Sequence, residues 1–164
     1  MSELVGSFGI LEEDGKILLA SEMRRLSADA PPVLCHDLPG GGVEEGEALV
    51  ETLVREFREE TGLEVEVEDL AFMIERFGFR STDPGRRSRF FFFRVRRIGG
   101  TLAPRDREIL SAGWFPIDEA RRLMTQWYHR EWWAWIDGGR SSRYVLTIRD
   151  PEARDAQRRE RFGP

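Results

Sequence analysis

Three glutamates in one short segment have the spacing of a metal-binding cluster. Glu56 lies three residues before Glu59 and four before Glu60, so on a helix the three carboxylates project from neighbouring positions on one side. Like charges placed in this way repel one another, at a cost of roughly 0.2–0.5 kcal/mol per pair. A hard cation such as Mg²⁺ would relieve the repulsion, because it prefers carboxylate oxygens and is often shared with substrate phosphates. The alternative is a solvated acidic helix face, which is what most charge runs are.

Residues next to this cluster would suit a site for an acidic substrate. Arg55 directly precedes Glu56 and could orient or partly neutralise a carboxylate. The run Gly40-Gly41-Gly42 precedes the helix, and glycine allows backbone to approach a metal ion or a phosphate closely. A bound metal would also explain how a chain with a net charge of −5 binds an acidic ligand, since the ion inverts the local field.

The full spacing of the segment resembles the signature of the Nudix hydrolase family, G-x5-E-x7-R-E-U-x-E-E-x-G-U, in which U is apolar. The match runs from residue 41 to residue 63 and is complete. Phe57 fills the first apolar position, which is more often aliphatic, and this departure affects packing rather than chemistry. The flanking segments "GKILLA" and "DREILSAGWFPIDEA" are also similar to typical members. The residues at the fixed positions are Gly41, Glu47, Arg55, Glu56, Glu59, Glu60, Gly62 and Leu63.

The resemblance implies both a fold and a reaction. The fold is the Nudix fold, an α/β/α sandwich with a central mixed β-sheet. The reaction is the metal-dependent hydrolysis of a diphosphate that is linked to another moiety, usually a nucleoside. The implied metal is Mg²⁺, with Mn²⁺ as a substitute, and it would lower the pKa of a water that attacks phosphorus in line. The implied metal ligands are Glu56, Glu59, Glu60 and the carbonyl of Gly41.

The resemblance also implies a catalytic set that includes an acid outside the helix. The acceptor of the water's proton differs between members of the family, so Glu56 and the loop residue Glu108 are both candidates. Asp106 is the weaker neighbour of Glu108, and the alternative for both loop acids is an ordinary solvated loop. Arg55 and Glu47 are expected to organise the helix rather than do chemistry. The implied catalytic set therefore consists of Glu56, Glu59 and Glu108, together with Arg55 as the residue that organises it.

Several arginines stand where they could contact the phosphates or the base of a substrate. They follow the early strand or flank a buried one, and arginine can bind phosphate bidentately. The alternative for each of them is a solvated strand end. His36 and His129 have no partners at metal-ligand spacing, so we expect structural roles for both. The arginine candidates are Arg24, Arg25, Arg87, Arg89 and Arg94.

The sequence indicates the type of reaction and is compatible with several classes of substrate. The compact length makes a (d)NTP, cleaved to (d)NMP and pyrophosphate, the first guess, with nucleotide sugars, ADP-ribose and dinucleoside polyphosphates as alternatives. Some members that act on the last two carry a proline and a tyrosine about 16 to 18 residues after the box, where this chain has Phe79, Arg80 and Ser81. A non-catalytic nucleotide-binding module is another alternative, although the complete carboxylate set speaks against it. Isomerisation of an isoprenoid diphosphate would need a reactive cysteine, and Cys35 has no evident partner.

Length and composition limit the classes of protein that remain. The 164 residues suit one domain, residues 1–150, followed by a charged tail, residues 151–164, that we expect to be frayed. The acidic net charge excludes a general surface for polymeric nucleic acid, so the expected partner is a small nucleoside diphosphate derivative. No apolar run reaches the roughly 20 residues that cross a bilayer, and no secretory signal is recognisable. We therefore expect a cytoplasmic protein with no membrane contact, and a homodimer is left open.

Strands and helices that alternate irregularly must position the acidic cluster. Residues 6–22 predict a hairpin around an Asp-Gly turn. Residues 33–38 predict a short strand, and the glycine run in residues 39–42 predicts an irregular loop after it. Apolar residues that recur every three or four positions predict a helix from Glu47 to Thr61, with Gly62 as its C-terminal cap.

The second half of the chain continues the mixed pattern. Alternation predicts a strand over residues 63–79, and residues 89–98 predict a strand that is buried on both faces. A short strand from Trp114 to Ile117 should lead into a helix capped by Asp118, and residues 127–136 should form a further helix. Such a pattern favours a mixed sheet with helices packed on it over a helical bundle.

Four tryptophans are concentrated in the predicted helix of residues 127–136. They could stack on a nucleobase or cover a dimer interface. Three aromatic residues of this region recur at helical spacing, and a stripe of that kind is more often part of a core than of a ligand site. We therefore predict that the stripe packs in the interior. The tryptophans are Trp127, Trp132, Trp133 and Trp135, and the stripe consists of Tyr128, Trp132 and Trp135.

Overall fold

Eight strands and three helices make up the regular structure of the described parts of the chain. The structure, a computed structural model, describes residues 3–25, 30–78, 86–124 and 128–148, together with Glu152 and Arg159. The elements, in chain order, are β1 (Leu4–Glu13), β2 (Lys16–Arg24), β3 (Val33–Asp37), β4 (Gly40–Gly42), α1 (Leu49–Thr61), β5 (Leu63–Phe77), β6 (Arg87–Gly100), β7 (Ile109–Pro116), α2 (Ile117–Leu123), α3 (His129–Asp137) and β8 (Arg143–Ile148).

The strands form one mixed sheet with β1 and β6 at its centre. Their order is β3-β2-β1-β6-β5-β8, and β4 and β7 pair with β1 and β2 respectively. β1 runs parallel to β6 and β5 runs parallel to β8, whereas the other pairs are antiparallel. Because helices pack on both faces of this sheet, the predicted α/β sandwich is confirmed.

α1 covers one face of the sheet. Its residues Leu53 and Phe57 are fully buried together with Leu11 of β1. The ring of Phe57 lies so close to β1 that a Cβ on Gly9 would collide with it. The helix ends at Gly62, which adopts a φ of 77°, and this left-handed conformation suits glycine as predicted.

An aromatic core fills the other face, under α2 and α3. Phe92 of β6 stacks on Phe72 of β5 with ring centroids 4.3 Å apart. Trp132 and Trp135 are both fully buried in the same core. The predicted burial of the phenylalanine-rich strand and of the tryptophan stripe is therefore confirmed, while Trp127 lies outside the described residues.

The first helix and the late strand begin at other residues than predicted. α1 begins at Leu49 rather than Glu47, because the N–H of Ala48 is already capped by the carboxylate of Glu51 at 2.8 Å. β7 begins at Ile109 rather than Trp114, since it pairs with almost the whole length of β2. The backbone pairing that extends β7 leaves no clear trace in its sequence.

The predicted cap of α2 is also wrong. The residue that precedes this helix is Pro116, which has a φ of −52° and therefore already fits a helix start. Asp118 lies inside the first turn instead, where its negative charge favours the helix dipole without capping it. β8, the edge strand beside β5, has no counterpart among the predicted elements.

Residues 79–85, which lie between β5 and β6, and most of the charged tail are outside the described residues. Phe79, Arg80 and Ser81 are among them. The division into a domain of residues 1–150 and a tail stays a prediction. Among the described residues, no helix combines the length and the apolar character that crossing a bilayer requires.

Candidate metal-binding and catalytic site

The three clustered glutamates lie along one side of α1 and differ in exposure. The side chain of Glu56 is 13% exposed, whereas that of Glu59 is 46% exposed. Glu60 lies next to the glycine strand β4, and its Oε2 accepts a hydrogen bond from the N–H of Gly40 at 2.9 Å. Glu56 and Glu60 are therefore the inner pair of acids, and Glu59 is the outer one.

Arg55 connects the acids of the box to one another. Its Nε and Nη2 donate to the two carboxylate oxygens of Glu47 at 2.7 and 3.0 Å. Its Nη1 donates to Glu56 at 2.9 Å and to Glu59 at 3.3 Å. The hydrogen bonds from Arg55, and then that from the hydroxyl of Thr52, lower the pKa of Glu47 to about 2. Arg55 thus holds three carboxylates at once, which is the arrangement that an organising role requires.

Negative charge on both members of the inner pair is unfavourable in the metal-free protein. Burial is the main cause that raises the pKa of Glu60 to about 9, and the charges of Glu56, Asp37 and Glu22 add to it. Burial also raises the pKa of Glu56, although the neighbouring guanidinium opposes the rise. A divalent cation would offset the cost of burying these charges, and carboxylate oxygens are the donors that Mg²⁺ prefers. The residues present therefore fit such an ion.

The backbone of β4 lies directly against these acids. A Cβ on Gly41 would collide with the carboxylate of Glu56, and a Cβ on Gly40 would collide with the carbonyl of Ser7. Gly40 also has a φ of 145°, which other residues rarely adopt. The predicted irregular loop at residues 39–42 is thus wrong in part, because residues without side chains can pair as a strand with β1. The Gly41 carbonyl as a metal ligand stays a prediction.

The acids are close to one another but do not yet surround an ion. Among the described residues, no three histidine, cysteine, aspartate or glutamate side chains converge at metal-ligand distances. The ion pair between Arg55 and Glu56 occupies one of the oxygens that a metal would take. A metal bound here would therefore compete with Arg55 for the charge of Glu56.

A second charged group lies beside Glu60, on β2 and β3. Nη1 of Arg24 donates to Oδ2 of the buried Asp37 at 3.1 Å, and Nη2 of the same arginine pairs with Glu22. Burial raises the pKa of Asp37 to about 7, and Arg24 opposes that rise. Since both acids also raise the pKa of Glu60, Arg24 is connected to the acidic site through its two partners.

The other four candidate arginines have partners of their own. Arg25 donates to a backbone carbonyl at 2.9 Å in an exposed position. Arg87 and Arg89 both pair with Glu3, which lies just before β1. Arg94 pairs with a glutamate of β5 at 3.6 Å. The structure does not bring these four into hydrogen-bond contact with any described residue of the acidic site.

The loop before β7 is bonded to the end of α1, and Asp106 rather than Glu108 is the loop acid whose charge acts on Glu56. The N–H groups of Arg105 and Asp106 donate to the carbonyl of Glu59 at 2.7 and 2.9 Å. These bonds hold the loop against the C-terminal end of α1, where the charge of Asp106 raises the pKa of Glu56. Glu108 is exposed and is tied to the loop by its own N–H, which donates to Asp106 at 2.7 Å. Glu108 as a proton acceptor stays a prediction.

Two other features of the site have little or no signal in the sequence. Leu38 donates its N–H to the hydroxyl of Tyr128 at 2.8 Å, across 90 residues. Asp37 comes immediately before the segment Leu-Pro-Gly, and its residue type alone does not predict a contact with Arg24. His36 forms a hydrogen bond with Ser21 at 2.8 Å, which is a structural arrangement as expected.

Comparison with known proteins agrees with the resemblance seen in the signature. A family model described as NUDIX domain matches residues 3–136. The chain is 47% identical over 62 residues to an ADP-ribose pyrophosphatase from Methanocaldococcus jannaschii, an alignment that covers 38% of this chain and 34% of the relative. It is 36% identical over 109 residues to the 8-oxo-dGDP phosphatase NUDT18 from Homo sapiens, with 65% and 30% covered. The chain thus spans about a third of the length of the curated relatives that it matches.

Solved structures share the architecture. A NUDIX hydrolase from Nitrosomonas europaea superposes with a TM-score of 0.70 at 23% sequence identity. The superposition covers 86% of this chain and 93% of that one. At this level of identity the similarity establishes the fold.

Proposed function

Because the chain belongs to the NUDIX domain family, we propose that it is a metal-dependent hydrolase of a pyrophosphate bond. The observation that carries this proposal is the inner pair Glu56 and Glu60, which lies against the backbone of Gly40 and Gly41. Buried acids whose pKa values are raised by burial and by neighbouring charges are typical of functional sites. A solvated acidic helix face would have neither the burial nor the contact with glycine backbone.

The metal ligands that we propose are Glu56, Glu59, Glu60 and the carbonyl of Gly41, with Mg²⁺ or Mn²⁺ as the ion. Bound there, the ion supplies charge neutralisation for the diphosphate and activation of the attacking water. Arg55 holds the carboxylates of Glu56 and Glu59 in fixed relative positions. Its hydrogen bond to Glu47 fixes the orientation of the guanidinium. Of the candidate arginines, we place Arg24 nearest to the substrate phosphates. The charges of its two partners, Asp37 and Glu22, both help to raise the pKa of Glu60.

The proton of the attacking water requires an acceptor among the carboxylates of the site. Glu56 is one candidate, and the loop supplies the other. Asp106 is better placed than Glu108, since its loop is bonded to the end of α1 and its charge acts on Glu56. We therefore propose Glu56 or Asp106 for this role and keep Glu108 as the comparison.

The proposed substrate is a small nucleoside diphosphate derivative. Conversion of a (d)NTP to (d)NMP and pyrophosphate is the first reaction to test. The names of the two curated relatives add ADP-ribose and 8-oxo-dGDP to the candidates, and nucleotide sugars and dinucleoside polyphosphates complete them. A cytoplasmic location and a homodimer stay predictions.

The experiment that tests the function is a phosphate-release screen with Mg²⁺ over these substrates. Pyrophosphatase couples the assay for (d)NTPs, alkaline phosphatase couples it where a phosphomonoester is the product, and 8-oxo-dGDP needs neither. The matched control is Glu60→Gln, which keeps the size of the side chain and removes its charge. Release that the variant abolishes supports the proposal. Equal release from both proteins, or none from either, contradicts it, and tight nucleotide binding without release would instead indicate a binding module.

A further inference from the structure

The hydroxyl of Tyr128 holds the segment that leads into the glycine strand. Its Oη accepts a hydrogen bond from the N–H of Leu38 at 2.8 Å, in a fully buried position. Tyr128 precedes α3, whereas Leu38 lies between β3 and β4. One bond therefore joins the C-terminal helix layer to the backbone beside the acidic site.

The segment that follows Leu38 reaches the acids within three residues. The carbonyl of Pro39 accepts from the N–H of Gly9 at 2.9 Å. The N–H of Gly40 donates to Glu60 at 2.9 Å, and Gly41 lies against the carboxylate of Glu56. A displacement of Leu38 would therefore be transmitted directly to the backbone groups that contact both inner acids.

The ring of Tyr128 supports the same segment from a second direction. It packs on Phe8 with centroids 5.8 Å apart and on Phe92 at 4.8 Å. Phe8 is the cross-strand partner of Gly40. The hydroxyl thus holds the start of the segment, while the ring holds the strand on which its end is paired.

We propose that Tyr128 is a positioning residue for the acidic site, through the bond from its hydroxyl to Leu38. This inference rests on the proposed function, because it assigns the bond a role in metal binding by Glu56 and Glu60. The N–H of Leu38 also has the carboxylate of Asp37 within 2.8 Å. Loss of the tyrosine hydroxyl therefore leaves this donor satisfied, so the main effect falls on the position of the segment rather than on stability.

The chain offers a matched pair of variants, since it has two tyrosines. Tyr128→Phe removes the buried hydroxyl and keeps the ring, while Tyr144→Phe removes a hydroxyl from a side chain that is 59% exposed on β8. One hydrogen bond corresponds to roughly a 2- to 10-fold change in an equilibrium constant. We expect Tyr128→Phe to weaken Mn²⁺ binding by about that factor, measured by calorimetry or electron paramagnetic resonance. Tyr144→Phe should bind Mn²⁺ as the wild type does.

A second measurement keeps both tyrosine hydroxyls in place. Protein made with 3-fluorotyrosine should give two ¹⁹F resonances, one from each tyrosine. Coupling between two sites is reciprocal, so addition of Mg²⁺ should shift the resonance of Tyr128 and leave that of Tyr144 in place. In Glu60→Gln the shift should disappear.

The outcomes separate this inference from the function on which it rests. If Glu60→Gln loses Mn²⁺ binding but Tyr128→Phe and Tyr144→Phe bind it equally, the role of Tyr128 is overturned and the metal site stands. A ¹⁹F resonance of Tyr128 that does not respond to saturating Mg²⁺ also overturns the role. If wild type and Glu60→Gln bind Mn²⁺ equally, the proposed metal site fails, and the role of Tyr128 fails with it.

Discussion

Arg55 donates two parallel hydrogen bonds, of 2.7 and 3.0 Å, to the two carboxylate oxygens of Glu47. Neither residue belongs to the proposed metal ligands, yet the same guanidinium also reaches Glu56 and Glu59. The geometry requires the planar, forked donor set of arginine, because lysine cannot donate in two parallel directions.

Glu47→Gln should make the protein less sensitive to acid. The pKa of Glu47 is held at about 2, below its ordinary 4.5, chiefly by the hydrogen bonds from Arg55. A carboxylate with a lowered pKa stabilises the fold above pH 4.5 and loses this contribution as the pH falls towards 2. Urea unfolding midpoints measured between pH 6 and pH 2.5 should therefore fall less in the variant than in the wild type. An identical fall in both proteins would contradict the bidentate pair.

Glu60→Gln should remove turnover while leaving the metal-free protein at least as stable. Burial raises the pKa of Glu60 to about 9, so stability is lost as the pH rises from 4.5 towards 9. The neutral amide avoids that loss. We expect a Tm in EDTA at pH 8.5 that equals or exceeds that of the wild type, no further rise with Mg²⁺, and kcat lowered by roughly 100-fold.

Glu59→Gln is the matched control for this variant, since its side chain is 46% exposed. Its Tm in EDTA should stay close to that of the wild type. A Tm of Glu60→Gln well below that of the wild type in EDTA would show that the charge of Glu60 stabilises the fold, contrary to this account.

Asp106→Asn should impair the reaction more than Glu108→Gln. The asparagine keeps the oxygen that accepts from the N–H of Glu108 at 2.7 Å, so the loop retains its shape. If Asp106 accepts a proton, kcat should fall by roughly 100-fold and the acid limb of the pH–rate profile should change. Glu108→Gln should alter kcat by less than about twofold, because its side chain is exposed and its charge is not among those that raise the pKa of Glu56 or Glu60. The reverse order would return the role to Glu108.

Arg24→Gln should destabilise the protein, whereas Arg25→Gln should not. Removal of Arg24 leaves Asp37 buried without its cationic partner and also leaves Glu22 unpaired. Breaking a fully buried pair costs about 3–5 kcal/mol, but Arg24 is 41% exposed, so we expect about 1–3 kcal/mol from chemical denaturation. Arg25 donates to one exposed carbonyl, and its loss should lie within about 0.5 kcal/mol. Equal stabilities for the two variants would contradict the ion-pair assignment.

The helix and its acids could be predicted from the sequence because both follow from local spacing. Glu56, Glu59 and Glu60 share one side of any helix that contains them, and Gly62 ends the helix through a backbone preference of glycine itself. The burial of the aromatic stripe was predictable for the same reason, since Trp132 and Trp135 recur at helical period. Such properties need no knowledge of distant residues.

Contacts between distant segments could not be predicted in this way. Asp106 and Glu108 are two residues apart and chemically alike, and only the bonds from the loop to the carbonyl of Glu59 decide which one approaches the helix. The link between Arg24 and Asp37 spans only 13 residues, but it depends on the pairing of β2 with β3, which the spacing of these two residues does not indicate. The glycine strand β4 also escaped prediction, because its three glycines carry no side-chain pattern.

The parallel pairing of β1 with β6 has a consequence for how the chain reaches its folded state. Leu4 pairs with Ser88, so the centre of the sheet cannot form until more than half of the chain is available. Non-local pairings of this kind slow folding, because the loop must close before the contact forms. The contact between Gly40 and Glu60 is comparatively local, whereas the bond from Leu38 to Tyr128 spans 90 residues. If local contacts form first, the contact between the acidic site and the glycine strand forms early. The site then acquires its final geometry only when α3 docks on the sheet.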